Sequence, residues 1–161
     1  MPGRSTPAGS VVAGRAVSAR PRQTDAPLCP SARPDMPESV IFGVVREAGG
    51  VEMIHHLAEP LPVTPELLAL ASPVRPTEIF RFAAPCAESA CSHFDGTDCR
   101  LAKKIAAGVH DVVETMPPCR IRPACRWFGQ EGRRACLRCP LIFSETANPS
   151  SELAMAADPA V

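Results

Sequence analysis

The first patterned stretch of the chain is Val40-Ile41-Phe42-Gly43-Val44-Val45, apolar and rich in β-branched residues. Gly49-Gly50 follows as a turn, and Val51-Glu52-Met53-Ile54-His55-His56-Leu57 returns, which predicts a β-hairpin. Thr64 with Pro65 behind it reads as a helix N-cap and first helical position, opening a short helix through Leu70 that stops near Pro73. Thr77 to Phe82 suits a further short strand. Leu101, Ile105, Val109, Val112 and Met116 then recur at helical spacing, opposed by Lys103, Lys104, Asp111 and Glu114. That stripe predicts a helix from Arg100 to Met116, closed by Pro117-Pro118.

Residues 1–37 show no such period. They hold seven prolines and five arginines among many Ser, Ala and Gly. A segment of this kind buries too little surface to offset its ordering entropy, so it is expected to be a disordered extension. Its Arg, its Ser and its lack of acids before Asp25 resemble an organelle transit peptide, and Met36 is an alternative start to Met1. The expected organisation is an extension (1–37), a β-rich segment with a short helix (38–84), a Cys-rich module (85–145) and a flexible tail (146–161). The fold class is α+β.

Composition changes the picture through its cysteines. The chain has 161 residues and 8 Cys, a modest share for the whole. Seven of them lie between Cys86 and Cys139, which is a dense local cluster; Cys29 falls in the extension and is not expected to be a ligand. There is no long apolar run and no secretory leader pattern, so the expected compartment is the reducing cytoplasm, with no membrane association; the preference for Arg over Lys, 15 to 2, suggests a bacterial source. In a reducing compartment clustered Cys are more often metal ligands than disulfides.

The clustered residues form two groups. Cys86-x4-Cys91-x-His93-x5-Cys99 places Cys91 and His93 on one side of an extended segment, with Cys99 at the start of the long helix. There the helix dipole is expected to favour a thiolate. The second group is Cys119-x5-Cys125-x10-Cys136-x2-Cys139, ending in Pro140. Seven Cys and His93 supply two four-coordinate sites: Cys86, Cys91, His93 and Cys99 as a metal set, and Cys119, Cys125, Cys136 and Cys139 as a cofactor set. A competing partition moves Cys119 into the first. The uneven gaps suit an iron–sulfur cluster, [2Fe–2S] or [4Fe–4S], and zinc is the alternative.

The string Cys125-RWFGQEGRRA-Cys136-LR-Cys139 resembles the C-terminal [2Fe–2S] motif of the ferric siderophore reductase family. The resemblance covers 15 residues and implies that Cys125, Cys136 and Cys139 are cluster ligands. That family carries two adjacent cysteines where this chain has Ala124-Cys125, so Cys119 would supply the fourth thiolate.

Formal charge balances at 17 basic and 17 acidic residues, but Arg120, Arg122, Arg126, Arg133, Arg134 and Arg138 crowd the second group against Glu131 alone. They offset nearby thiolates or form a face for an acidic redox partner; nucleic acid is the less favoured partner. Trp127 and Phe128 are expected to cover the centre. His55, His56 and His110 read as ordinary strand-edge or solvated histidines. The expected function is electron transfer or redox sensing by an iron–sulfur protein. A structural zinc module for protein or nucleic-acid binding, and a small reductase, are the alternatives; no catalytic residues stand out.

Overall fold

The computed structural model describes residues 26–146 and 148–161. The transit-peptide likeness of the N-terminal segment falls outside the described residues. An antiparallel sheet with strand order β1-β4-β2-β3 carries helices, so the chain is α+β. Its strands are β1 (Leu28–Ala32), β2 (Val40–Ala48), β3 (Val51–Pro62) and β4 (Phe80–Pro85). The β2–β3 hairpin turns at Gly49-Gly50, both at positive φ (63° and 81°), a conformation open to glycine without steric cost.

Within the 1–37 extension, strand β1 corrects the expectation of disorder for Leu28–Ala32; residues 1–25 lie outside the described residues. Leu28 pairs with Pro85, Cys29 with Ala84 and Ala32 with Phe82. Ala32 and Pro30 are fully buried, so this Pro-containing segment is an ordered edge strand, the one place in a sheet that tolerates a missing N–H. A chain starting at Met36 would lack that strand.

Helix α1 (Pro65–Ala69) is capped as its sequence suggests: the Thr64 hydroxyl accepts from the Leu67 N–H at 3.3 Å. The expected strand at Thr77–Phe82 splits instead into a helical turn α2 (Pro76–Ile79) and β4. Pro76 begins the turn, and the Glu78 carboxylate accepts from the Arg75 backbone N–H and guanidinium.

Helix α3 runs from Arg100 to Gly108 and stops eight residues short of Met116. Gly108 is a weak helix former, and β-branched Val109 follows. Beyond the end, the N–H groups of Val112 and Val113 both donate to the Leu137 carbonyl. Ile105 and Val109 of the stripe are buried, but Val112 and Met116 lie in a loop, with Met116 exposed.

Helices α4 (Arg126–Glu131) and α5 (Arg133–Cys136) are separated by Gly132 at φ 62°. The expected flexible tail contains α6 (Ser151–Ala157). The Ser150 hydroxyl caps it by accepting from the Leu153 N–H, and Ala156 is buried among α3 and α4 residues. Ala156 and Leu153 give this tail an apolar face to dock.

Alternation along β4 divides the interior. Phe82 and Ala84 face one side and pack with Ala32, Ile41, Leu67 and Leu68 of the α1 layer. Arg81 and Ala83 therefore face the other, where Ala83 packs with Phe42 and Ile121. Below them lies the helical core of Cys99, Ala102, Ile105, Trp127, Ala135 and Ile142. A bulge between Ile41 and Gly43 interrupts both ladders of β2. Among the described residues no helix is long and apolar enough to cross a membrane.

Candidate metal centre

The thiols of Cys119, Cys125, Cys136 and Cys139 line one cavity. Cys119 precedes a 3-10 turn at Arg122–Ala124, Cys125 caps α4, Cys136 ends α5, and Cys139 opens a second 3-10 turn. Counting the part that opens to solvent, the space is about 360 Å³; Phe42, Trp127, Phe128, Ile121 and Ala135 contribute apolar side chains to its wall. Cys125 has Cys119 and Cys136 as electrostatic neighbours, and Cys139 has all three others. Cys119 lines this cavity and not the larger cleft of the first group.

Burial is the largest influence on these thiols. It pushes Cys125 up to about 11, against N–H groups of Phe128 and Trp127 that pull it down, and Cys119 moves the same way. Cys139 is pushed up to about 12 although the Arg81 guanidinium opposes the rise. A bound metal would have to displace these protons, which ties occupancy to pH.

The first group lies in a larger cleft, about 1960 Å³ on the same count, whose wall includes Cys86, Cys91, His93 and Cys99. Cys29 joins them there. Its thiol neighbours Cys86 and Cys99, and Cys99 neighbours Cys86 and Cys91. The expectation that Cys29 lies apart from the ligand-like cysteines is corrected by β1: its pairing with β4 brings Cys29 beside the strand end that delivers Cys86. The Cys86 N–H also donates to the Pro27 carbonyl at 2.8 Å.

Cys99 is the N-cap of α3; its thiol makes no capping hydrogen bond, although the backbone N–H groups of Ala102 and Leu101 favour its thiolate. Burial nevertheless raises it, so desolvation outweighs the helix end and reverses the expected shift. Gln130 fastens this residue to α4: its side-chain carbonyl accepts from the Cys99 N–H at 2.8 Å, and its amide donates to the Cys99 carbonyl at 3.0 Å.

Three further side chains stand between or beside the two cavities. Trp127 is buried and lines both. Arg81 is 1% exposed, with its guanidinium 6.0 Å from the ring centres of Phe42 and Trp127. Its Nε donates to the Pro30 carbonyl at 2.5 Å, while Nη1 and Nη2 have no hydrogen-bond partner among the described residues. The thiols around it come from both cavities: Cys139, Cys29, Cys125 and Cys119. The cue in the sequence was a lone cation inside the apolar run Phe80-Arg81-Phe82-Ala83-Ala84.

His56 was also missed as a site residue. Strand alternation points His55 outward and His56 into the wall of the second cavity, stacked on Phe42 at 5.5 Å. Burial, with Arg81 and Arg122 nearby, lowers its imidazole to about 4.

The six arginines of 120–138 act largely as staples. Arg120 donates to the Ala58 carbonyl and Glu59, Arg126 to the Thr97 carbonyl, Arg133 to the Glu114 carbonyl and Arg134 to the Ala106 carbonyl. Arg138 reaches the Val109 carbonyl and pairs with Asp111 at 2.6 Å; Arg122 donates to the Pro117 carbonyl. They satisfy helix ends and loop carbonyls that would otherwise lack donors.

All eight thiols are free. Among the described residues no three Cys, His, Asp or Glu side chains meet closely enough to hold one metal ion. The thiols ring two spaces rather than meeting at a point.

No family model, curated protein or solved structure matches this chain. The resemblance of Cys125–Cys139 to the siderophore reductase motif thus rests on those fifteen residues.

Proposed function

We propose that Cys119, Cys125, Cys136 and Cys139 hold an iron–sulfur cluster, [2Fe–2S] or [4Fe–4S], and that the protein serves electron transfer or redox sensing in the cytoplasm. The observation that carries this reading is the sorting of the thiols: these four, from a run of four short helices and turns, line one apolar cavity. Four thiolates match the ligand count of either cluster, and spacings of six, eleven and three suit a large inorganic core better than a single ion. A bound cluster exchanges one electron at a time with a partner.

The chain's own groups would set its environment. Phe42, Trp127 and Phe128 exclude water from one side. Arg81 supplies a buried positive charge whose Nη atoms have no hydrogen-bond partner among the described residues, and the thiols of Cys139, Cys29, Cys125 and Cys119 act on it electrostatically. Four thiolates around iron are net negative, so cation and centre answer each other's charge. An acidic redox partner is proposed to dock on the Arg-rich 120–138 face, where Arg120, Arg133 and Arg134 are exposed.

Anaerobic purification, a visible spectrum and analysis for iron, acid-labile sulfide and zinc test the reading. The expected result is a coloured protein with iron and sulfide in equal amounts that bleaches reversibly with dithionite. A colourless chain with stoichiometric zinc overturns it in favour of a structural zinc module.

A further inference from the structure

The reading above accounts for four of the eight thiols. The other four occupy the larger cleft, and they come from four different places: the edge strand, the end of β4, the loop after the Glu88–Ala90 turn, and the cap of α3. Backbone contacts hold those places together. The Cys29–Ala84 pair and the Pro27–Cys86 hydrogen bond join the first two. A bridge between Phe94 and Cys99, with the Arg100 N–H donating to the His93 carbonyl at 2.7 Å, closes the loop that carries Cys91 back to α3.

We infer that Cys29, Cys86, Cys91 and Cys99 form a second four-thiolate centre of the same iron–sulfur class, with Arg81 buried between the two centres as their common counter-charge. The inference rests on the reading given under Proposed function and extends it. Cys29 takes the ligand position that the sequence spacing gives to His93. His93 lies in the same cleft, its Nδ1 buried without a hydrogen-bond partner among the described residues and its imidazole acted on by Lys104 and Arg100. Cys29 has two thiols of the set as neighbours and Arg81 beside it.

Arg81 supports the two-centre arrangement independently. A fully buried guanidinium with two free Nη atoms is costly unless anions face it. No carboxylate is among the groups that act on it; Cys29 approaches from one cavity, and Cys119, Cys125 and Cys139 from the other. One cation facing thiols of both sets is explained if both sets become thiolates on metal binding. Trp127, which walls both cavities, then separates two inorganic cores.

The experiment compares iron and sulfide per chain in the anaerobically purified full chain and in Cys29→Ser, Cys91→Ser, His93→Ala and Cys139→Ser. The expected pattern is about half the wild-type iron in Cys29→Ser and in Cys91→Ser, wild-type iron in His93→Ala, and half in Cys139→Ser. In the reduced proteins, the paramagnetic signal lost with Cys29→Ser should be the one retained in Cys139→Ser. Circular dichroism reports folding; if Cys29→Ser disrupts the sheet edge, Cys91→Ser, on a loop outside the sheet, decides. Full iron in a folded Cys29→Ser chain, or in Cys91→Ser, overturns the second centre while leaving the first reading intact. Half the iron in His93→Ala with full iron in Cys29→Ser would return the histidine to the ligand set. Absence of iron from the wild type overturns the underlying reading itself.

Discussion

The two thiol sets are built by opposite means. Cys119, Cys125, Cys136 and Cys139 come from one continuous stretch of short helices and turns, and aromatic and aliphatic side chains enclose them. Cys29, Cys86, Cys91 and Cys99 are gathered by the sheet and by loop hydrogen bonds, and they line a wide cleft that takes in His93, Ser31 and Arg33. The comparison teaches that a compact spacing motif is one way to assemble ligands and strand pairing is another. Only the first leaves a readable mark in the sequence. Arg81 and Trp127 belong to both sets, so substitutions there should act on the two together, whereas loop substitutions should separate them.

Trp127→Ala is expected to have the largest effect. Removing this buried side chain from the wall of both cavities should cost about 3–5 kcal/mol. Urea denaturation followed by circular dichroism measures it, since Trp127 is the only tryptophan and fluorescence is lost with it. Loss of iron from one set alone would break the idea of a shared wall.

Arg81→Leu comes next. With the cation removed, reduction is less favoured at any centre it faces, so both reduction potentials should become more negative in a redox titration. A shift at one centre only would assign Arg81 to that set.

The smallest effect is expected from acid, and it should fall on the first set. The Thr97 and Asp98 N–H groups donate to the Asp95 carboxylate, and with Lys103 they hold it down to about 2. A carboxyl lowered on folding contributes stability above its ordinary range near 4, and that contribution disappears as pH falls toward 2. Acidification should therefore loosen the Asp95–Asp98 turn between Cys91 and Cys99. No carboxylate lines the second cavity. Amide hydrogen exchange at Thr97 and Asp98, compared with Gly129 and Leu137 between pH 6 and pH 2.5, checks the difference. Equal loss of protection at both would remove it.

Much of the scaffold was legible because local chemistry decides it. The Gly49-Gly50 hairpin, the Thr64 cap and the start of α3 at Cys99 all follow from neighbouring residues. The second thiol set was legible for the same reason, its members being close in sequence. Strand β1 was not, because its five residues Leu28–Ala32 include a Pro and a Ser and carry no alternation of their own; pairing with β4 makes them a strand. The end of α3 was misplaced because the Val112 and Val113 N–H groups are claimed by Leu137, twenty-four or more residues away. α6 was missed although Ser150 is a standard cap, since a seven-residue helix depends on docking rather than propensity. His56 and Arg81 look ordinary in a string of letters and gain their meaning only from the face of the strand they occupy.

The pairing of β1 with β4 also has a kinetic consequence. The second thiol set spans 20 positions, from 119 to 139, while the first spans 70, from 29 to 99. For flexible loops of those lengths the closure entropy differs by about 1 kcal/mol, and the longer closure also waits for a sheet edge to exist. Cys29 leaves the ribosome long before Cys86, its partner thiol, has been made. Synthesis thus delivers the strand-borne set first, but when the whole chain refolds the compact set can gather its ligands as a local unit, while the strand-borne set waits for the N-terminal edge to dock on the sheet.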